Sequence, residues 1–230
     1  MAARPKYRRV LLKLSGEALG AGSGNGIDIA AAQSIAARIA GIHKLGVQLA
    51  IVVGGGNIIR GSMFAGKGIN AVAGDAMGML ATVINGIALQ DVLESQGVDT
   101  RLQTAIPMQA VAEPFIRRRC IRHLEKGRVV ILAAGTGHPH FTTDTAAALR
   151  AREIHADVML KATNVDGVYD DDPRKNREAR RYARLTYHSV LRDNLRVMDA
   201  TAVSLCREGR LPIIVFNMNA PGSIRDAILG

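Results

Sequence analysis

Aromatic residues and cysteine are scarce in this chain of 230 residues. Aromatic side chains make up 3% of it, tryptophan is absent, and its two cysteines, Cys120 and Cys206, stand far apart with no CxxC motif. The cysteine pattern favours neither a zinc site nor a disulfide framework and fits a reducing interior, so we expect the cytoplasm. The 48% of hydrophobic residues must supply a core of Ala, Val, Ile, Leu and Met, which suits helices packed closely on a sheet.

Membrane and secretion signals are also missing from the sequence. The N-terminus has neither the apolar run nor the small-residue cleavage site of a signal peptide. No window approaches about 18 uninterrupted apolar residues, the length that a membrane-spanning helix needs. We therefore expect a soluble protein without a membrane partner.

Positive charge is in excess, with 30 Lys and Arg against 20 Asp and Glu and a formal net charge of +10. Such a surface attracts polyanions, whether nucleic acids, acidic lipids or phosphorylated metabolites. Three runs carry much of the excess: Arg4–Arg9, Arg117–Arg122 and Arg174–Arg184. Because aromatic rings that could stack on bases are rare among them (Tyr182 in the third run), we interpret the runs as solvated faces, and nucleic acid is not expected as the main partner.

Short, mostly apolar runs alternate with longer helical patterns along the whole chain. Continuously apolar runs are typical of strands covered on both faces, and strands separated by helices of crossover length form parallel sheets. The sequence therefore predicts an α/β fold, a three-layer αβα sandwich with a largely parallel central sheet, in a single domain over residues 1–230. The predicted strands are Val10–Leu14, Val47–Val53, Arg101–Ile106, Val129–Ala134, Asp157–Ala162 and Leu211–Met218.

Two helices have clear signals at their ends. Asp28 is placed to cap a helix that ends at Gly46, and Asp75 is placed to open a second helix that runs through Leu93 to a stop at Gly97. The glycine-rich segment Gly20–Gly26 and the polar segment Asp170–Arg181 are predicted to be exposed loops.

Four predicted strands are followed at once by small and polar residues. They read LLKLSGE (11–17), VVGGGNIIRG (52–61), ILAAGTGHPHFTTD (131–144) and LKATNVDGVYDDDP (160–173). Ligands of open parallel sheets bind beyond the carboxyl ends of the strands, so four such junctions predict one shared site.

The first two junctions have the chemistry of a phosphate site. Lys13 lies inside an apolar strand, directly before Ser15 and Gly16, and we favour an ammonium aimed at phosphate oxygens over the alternative of an edge strand with Lys13 in water. After the second strand, three glycines let backbone N–H groups approach an anion, and Asn57 is placed to start a helix whose positive end faces it. A tight turn would need only one glycine.

The other two junctions offer polar side chains. Hydroxyls at Thr136, Thr142 and Thr143 precede the carboxylate of Asp144, and the alternative role of Thr143 or Asp144 is that of a helix cap. His138 and His140 have no acidic or cysteine partner at ligand spacing, so no metal ligands are predicted. The fourth junction offers Thr163, Tyr169 and Asp172, a set that can clasp a purine and its ribose; the alternative is an ordinary acidic turn.

As an ordered set, the motifs of this chain resemble those of the bacterial uridylate kinases, members of the amino acid kinase family. The likeness runs from Tyr7 nearly to Gly230, and the GDAMGMLATVINGIAL block separates it from relatives that phosphorylate acetylglutamate, aspartate or carbamate. The motifs are LLKLSGEAL, GGGNIIRG, GDAMGMLATVINGIAL, AGTGHPHFTTD, LKATNVDGVYDDDP, RVMD and FNMNAPGSI.

The resemblance implies a UMP kinase that transfers the γ-phosphoryl group of ATP to UMP in pyrimidine nucleotide biosynthesis. Lys13 and Asp144 are then catalytic, with Asp144 orienting Lys13. The implied ATP-binding residues are Lys13, Leu14, Ser15, Gly16, Gly56, Arg60, Thr163, Tyr169 and Asp172. The implied UMP-binding residues are Gly55, Asp75, Thr136, Gly137, His138, Pro139, His140, Phe141, Thr142 and Thr143.

The resemblance also implies regulation and assembly. It suggests Mg²⁺ as cofactor, activation by GTP, inhibition by UTP, and a homohexamer. The segment linked to GTP is Ala21, Gly22, Ser23, Gly24, Asn25 and Gly26.

The chain departs from the family pattern at two places. His138 and His140 stand where the family more often has Asn and Phe, which changes the expected contacts to uracil. A short GTxI-like strand commonly follows the position of Gly230, so we expect one edge strand to be missing or supplied differently.

Two alternative functions remain open from the sequence. One is a kinase of the same fold that acts on a carboxylate or carbamate. The other is a nucleotide-sensing regulator that binds DNA through its basic runs, for which DNA retention would depend on salt.

Overall fold

The computed structural model of the chain describes residues 4–20, 26–60, 68–195 and 197–230. Its strands are β1 (Arg9–Leu14), β2 (Gln48–Val53), β3 (Thr100–Thr104), β4 (Glu113–Pro114), β5 (Val129–Ala133), β6 (Val158–Thr163), β7 (Val168–Tyr169), β8 (Arg181–Tyr182) and β9 (Ile213–Asn217). Its α-helices are α1 (Ile29–His43), α2 (Ala71–Ser95), α3 (Arg117–Glu125), α4 (Thr143–Glu153), α5 (Tyr187–Arg192), α6 (Ala200–Glu208) and α7 (Ser223–Leu229). A short 3-10 helix, Gly16–Leu19, follows β1.

Seven strands form one sheet in the order β4-β3-β5-β2-β1-β6-β9, and every neighbouring pair is parallel. The six strands predicted from sequence all belong to this sheet. The sequence did not predict β4 or the antiparallel hairpin of β7 and β8, each of which has two-residue strands.

Apolar side chains fill the space on both faces of the sheet. Leu12, Ile51 and Ile131 pack with α1, α2 and α7 in one core. Their chain neighbours, such as Leu11 and Val52, point the other way and pack with α3, α4 and α6 in a second core. This alternation explains why the strands are continuously apolar, since both faces are covered. The predicted three-layer α/β fold with a largely parallel sheet is confirmed.

The first two α-helices start and end close to the predicted positions, with one error. Asp28 caps α1 by accepting a hydrogen bond from the Ala31 N–H, as predicted. The prediction that Asp75 opens the second helix is wrong, because Asn70 caps α2 and Asp75 lies inside it. The Asn70 side chain accepts from the Ala73 N–H, which lies in the first turn. Asp75 would cap the helix only if the helix began about one turn later.

Helix α2 is apolar on two faces. One face packs Leu89 and Leu93 against the sheet, while Leu80, Ile84 and Ile87 on the other are 43–48% exposed. By length and composition alone this helix is apolar enough to cross a membrane. The core helix of a protein whose helices pack on a sheet meets the same criterion. Mean hydropathy over a window tolerates the Gly, Thr and Asn residues of α2, whereas these residues interrupt a count of consecutive apolar residues.

Candidate active site

The four junctions meet at one edge of the sheet, because β5, β2, β1 and β6 are neighbours that all run in the same direction. β1 lies between β2 and β6, and Lys13 is in register with Val52 on one side and Lys161 on the other. Lys13 is therefore on a central strand, and the alternative of an exposed edge strand is wrong.

Asp144 lies between two lysines. Its Oδ1 is 3.0 Å from Nζ of Lys13 and its Oδ2 is 2.5 Å from Nζ of Lys161. All three side chains are only 13–15% exposed. One carboxylate therefore holds two ammonium groups side by side at the ends of adjoining strands, with one net positive charge available to an anion.

The start of α4 sets the position of Asp144. Thr142 caps this helix by accepting hydrogen bonds from the N–H groups of Asp144 and Thr145, each at 3.1 Å. The alternative role considered for Thr143 or Asp144, that of the helix cap, belongs instead to Thr142. Because Thr142 takes that role, Asp144 lies in the first turn, where the helix dipole favours a carboxylate.

Lys161 is a site residue that was not predicted from the sequence. Its signal was the one that identified Lys13, a lysine inside an apolar strand directly before small polar residues. Burial lowers the pKa of Lys161 below its usual 10.5, Asp144 opposes that shift, and the nearby charge of Lys13 adds to it. Its ammonium also donates to the carbonyl of Val197.

The three glycines after β2 serve different purposes. A Cβ on Gly55 would lie 2.8 Å from Cβ of Ala81 and 2.8 Å from the carbonyl oxygen of Gly78, so Gly55 is required by the close approach of α2. A Cβ on Gly56 would meet nothing within 4 Å. Within the part of the chain that the structure describes, the N–H groups of Gly55 and Gly56 have no hydrogen-bond partner. We call Gly54–Gly56 the glycine strip; its free N–H groups suit an anion.

Two further predictions concern the residues beside the glycine strip. Asn57 does not start a helix as predicted, because residues 56–58 form a turn and residues 59–60, the last described before the gap, are not helical. Arg60 does lie beside the strip, where its Nε donates to the Gly56 carbonyl at 2.9 Å and its guanidinium pairs with Glu17 at 2.6 Å.

The residues after β1 approach the strip closely. A Cβ on Gly16 would lie 2.6 Å from the Gly54 carbonyl oxygen, so only glycine fits there. Ser15 caps the 3-10 helix by accepting from the Glu17 N–H, and Leu14 is fully buried at the strand end.

A cavity of about 270 Å³ opens beside the glycine strip. It collects residues from β2, α2 and the loop before α4. Among them are most of the predicted UMP-binding set. Its lining is Val53, Gly55, Gly56, Ile59, Gly74, Asp75, Gly78, Met79, Thr82, Gly135, His138, Phe141, Thr142 and Thr143.

The loop 135–141 is fixed above this cavity by polar contacts. The His140 N–H donates to Oδ2 of Asp75 at 2.8 Å, which ties the loop to α2. The Thr136 hydroxyl accepts from the His138 N–H at 3.2 Å and holds the turn. Gly137 has a φ of +84° and packs on Ala105. Pro139 lies between the two histidines in this loop.

The predicted adenosine-binding residues lie beyond β6. Thr163 ends that strand, and its hydroxyl donates to the Val165 carbonyl at 2.6 Å. Tyr169 lies on β7, and Asp172 lies in the turn that leads to β8, where it accepts from the N–H and Nε of Arg174. Of the predicted GTP-linked segment, Ala21 to Asn25 fall outside the described residues, while the Gly26 N–H donates to the Asn57 carbonyl at 2.7 Å.

Asp199, a second residue of the site that was not predicted, connects two helices. Its carboxylate accepts from Oγ1 of Thr142 at 2.5 Å and from Oγ1 of Thr145 at 2.8 Å, and it caps α6 through the Ala202 N–H. Burial alone would raise the pKa of Asp199, but these hydrogen bonds outweigh it and hold the pKa below the usual 3.8. Asp199 thus anchors the turn that presents Asp144.

Two lysines held at the carboxyl ends of parallel strands suit a phosphoryl group, and the relatives of this chain are phosphotransferases. Residues 8–217 match the amino acid kinase family, and the chain belongs to that family.

Individual relatives share nearly the whole chain. It is 58% identical over 226 residues to the chloroplastic uridylate kinase PUMPKIN of Arabidopsis thaliana, covering 98% of this chain and 67% of that protein. The crystal structure of UMP kinase from Bacillus anthracis superposes with a TM-score of 0.95 at 44% identity, covering 99% of this chain and 93% of the other. UMP kinase from Ureaplasma parvum gives 0.91 at 39% identity, covering 96% and 94%.

Proposed function

We propose that the chain is a UMP kinase, a nucleoside monophosphate kinase that transfers the γ-phosphoryl group of ATP to UMP and yields UDP and ADP. The observation that carries this proposal is the pair of lysines held by Asp144 beside the glycine strip and the adjoining cavity. The arrangement provides positive charge and free N–H groups where two phosphates would meet. The likeness to named uridylate kinases supports UMP as the acceptor.

The reaction needs charge neutralisation more than proton transfer. UMP is largely dianionic at neutral pH, because a phosphate monoester has a second pKa near 6, so its oxygen can attack without a base. Repulsion between two polyanions is the main obstacle, and positioning with electrostatic stabilisation overcomes it. Lys13 and Lys161 would bear on the transferring group, and Asp144 would keep both ammonium groups aligned.

The two substrates would occupy opposite sides of the glycine strip. ATP would extend from Lys13 and Gly56 toward Thr163, Tyr169 and Asp172, whereas UMP would fill the cavity lined by Gly55 and Asp75. His138 also lines that cavity, so an imidazole would face the pyrimidine where the family more often offers an amide.

Mg²⁺ is proposed as the ion that accompanies ATP. Among the described residues, no group of three or more His, Cys, Asp or Glu could hold a metal ion, and both Asp144 oxygens face lysines. The described residues of this site thus offer no fitting protein ligand set, and the ion would be carried by the triphosphate as part of the substrate.

ADP release in a coupled assay with a panel of acceptors tests the proposal. UMP should give the highest kcat/KM, with CMP next as the nearest isostere and acetylglutamate, aspartate and carbamate at background. A preference for a carboxylate or carbamate would support the same-fold alternative. If Lys13→Ala loses turnover but retains DNA in the same salt-dependent way, DNA binding is a property separate from catalysis. If the wild type shows no turnover with any acceptor, the result favours the DNA-binding regulator.

We further propose the implied regulation, in which GTP activates the enzyme through Ala21–Gly26 and UTP inhibits it. The single-domain enzyme would serve pyrimidine nucleotide biosynthesis in the cytoplasm. UMP titrations with and without each nucleotide test it. Activation by GTP should disappear on deletion of residues 21–25, while basal turnover persists.

We also propose the implied homohexamer, and the exposed apolar face of α2 supports the self-association that it requires. Leu80, Ile84 and Ile87 lie along one side of the helix with no charged residue between Asp75 and Asp91. A second copy could cover such a face through a two-fold contact. Light scattering after size exclusion should show a smaller assembly for Ile84→Lys, while Ile29→Lys, an exposed position on α1, should leave the mass unchanged.

A further inference from the structure

Two asparagines are buried behind the glycine strip. Asn57 is 1% exposed and Asn85, on α2, is 0% exposed. Their side-chain amides pair reciprocally, with Nδ2 of Asn85 donating to Oδ1 of Asn57 at 2.7 Å and Nδ2 of Asn57 donating to Oδ1 of Asn85 at 3.1 Å.

Each amide also holds a backbone carbonyl. Nδ2 of Asn85 donates to the Gly54 carbonyl at 2.8 Å, and Nδ2 of Asn57 donates to the Gly26 carbonyl at 2.8 Å. All four side-chain N–H groups of the pair are therefore used, and both amide oxygens accept. A buried network that is fully satisfied in this way fixes the groups it contacts, whereas loss of one member leaves buried polar atoms unpaired.

The contact between Asn85 and the Gly54 carbonyl determines which way the next N–H group of the glycine strip, that of Gly55, points. A peptide unit is planar and trans, so its carbonyl and its N–H point in opposite directions. With the Gly54 carbonyl held toward Asn85, the Gly55 N–H must point away from Asn85. Gly55 lines the cavity, and its N–H has no hydrogen-bond partner among the described residues.

We propose that Asn57 and Asn85 are positioning residues of the phosphate site: Asn85 orients the glycine strip through the Gly54 carbonyl, and Asn57 locks Asn85 and ties the strip to Gly26. This proposal depends on the proposed function in one respect, namely that UMP is the acceptor. Neither asparagine touches a substrate; the pair sets the N–H groups that do. The closely packed Gly16, where a Cβ would lie 2.6 Å from Oδ1 of Asn57, is part of the same arrangement.

Asn85→Asp tests the proposal, because it keeps the shape and an acceptor oxygen but replaces the two N–H donors with at most the single O–H of a protonated acid. We expect the Kd for ADP and for UMP to rise and kcat/KM to fall by about ten- to a hundredfold, the cost of misplaced binding groups. Thr100→Val is the matched control. It removes an equally buried hydroxyl, bonded to the Val98 carbonyl at 2.9 Å, at the far end of β3.

The two variants separate positioning from simple stabilisation. Thr100→Val should lower the thermal midpoint with less than about a twofold change in either Kd. If Asn85→Asp lowers the midpoint but changes affinity no more than Thr100→Val does, the positioning role is refuted.

Two provisions keep the test decisive. If Asn85→Asp does not fold, Asn85→Ser is measured in the same way, and unchanged affinity there overturns the proposal. If wild type binds ADP but does not phosphorylate UMP, the proposed function fails, while the ADP affinities still decide the role of the asparagines.

Discussion

Lys13 and Lys161 occupy the same register on adjoining parallel strands, and each ammonium contacts a different oxygen of one carboxylate, that of Asp144. Two like charges placed so closely repel one another, and an anion between them offsets that repulsion by attracting both. The carboxylate supplies that anion in the free protein. A transferring phosphoryl group would meet a pair of ammonium groups already fixed in place, which is the preorganisation that electrostatic catalysis requires.

Asp144→Asn should therefore impair catalysis more than folding. The amide keeps the shape of the carboxylate but cannot neutralise either lysine, so the two ammonium groups should separate. We expect kcat to fall by about 100-fold or more, as for loss of a preorganised electrostatic group. Coupled ADP release measures the effect, and circular dichroism checks the fold. A variant with near wild-type kcat would show that the bridge has no catalytic role.

Lys13→Ala should abolish turnover while the protein stays folded and keeps its oligomeric mass. The side chain is anchored to the site by Asp144 alone among the ion pairs found in the described ranges, so its removal does not break the core. We expect a loss of about 1000-fold in kcat. Lys126→Ala, an exposed position after α3, is the control and should retain activity. Wild-type-like turnover by Lys13→Ala would disprove the role assigned to Lys13.

Gly55→Ala and Gly56→Ala should fail in different ways. The methyl group added at Gly55 would press on Ala81 and Gly78, so we expect a loss of about 1–3 kcal/mol in the free energy of unfolding. The methyl group added at Gly56 would enter open space, so stability should change by less than about 0.5 kcal/mol while ATP affinity falls, since that group stands where phosphate would lie. Urea unfolding and ADP titration measure both effects. Equal stability losses would contradict this assignment.

Asp199 should give the wild type an acid-sensitive part of its stability. The hydrogen bonds from Thr142, Ala202 and Thr145 hold its folded pKa below 3.8, so the native state binds fewer protons there than the unfolded state. The contribution is therefore complete above about pH 5, where Asp199 is ionised in both states, and is lost as pH falls through the lowered folded pKa. The free energy of unfolding of the wild type and of Asp199→Asn, measured with denaturant, should differ by less and less as the pH is lowered below about 5. A difference that does not vary with pH would exclude this linkage.

Much of the fold was predictable because both faces of the sheet are covered. That burial makes the strands continuously apolar, and all six predicted strands belong to the sheet. The two-residue strands of β4, β7 and β8 carry no periodic pattern from which they could be detected. The start of α2 was misplaced because Asn70 and Asp75 are both good caps, and the sequence does not show which N–H groups they reach.

The site was predictable where a charged residue lies in an otherwise apolar strand, because a buried charge requires a partner of opposite charge. Lys13 stood out as a lysine in an apolar strand, but Lys161 carried the same signal and was overlooked. Asp199 and Asn85 could not be identified from local sequence, because their roles depend on contacts with residues 54 and 31 positions away in the chain. The glycines looked alike, yet only the packing of α2 distinguishes Gly55 from Gly56.

Phosphorus-31 NMR of the protein with ATP, Mg²⁺ and UMP tests the central claim most directly. We expect the UMP resonance to be replaced by the two coupled resonances of UDP, with one ADP formed for each UDP. The Asp144→Asn protein should show neither change over the same time. ATP consumption without a UDP signal, or an unchanged spectrum with the folded wild-type protein, would contradict the account.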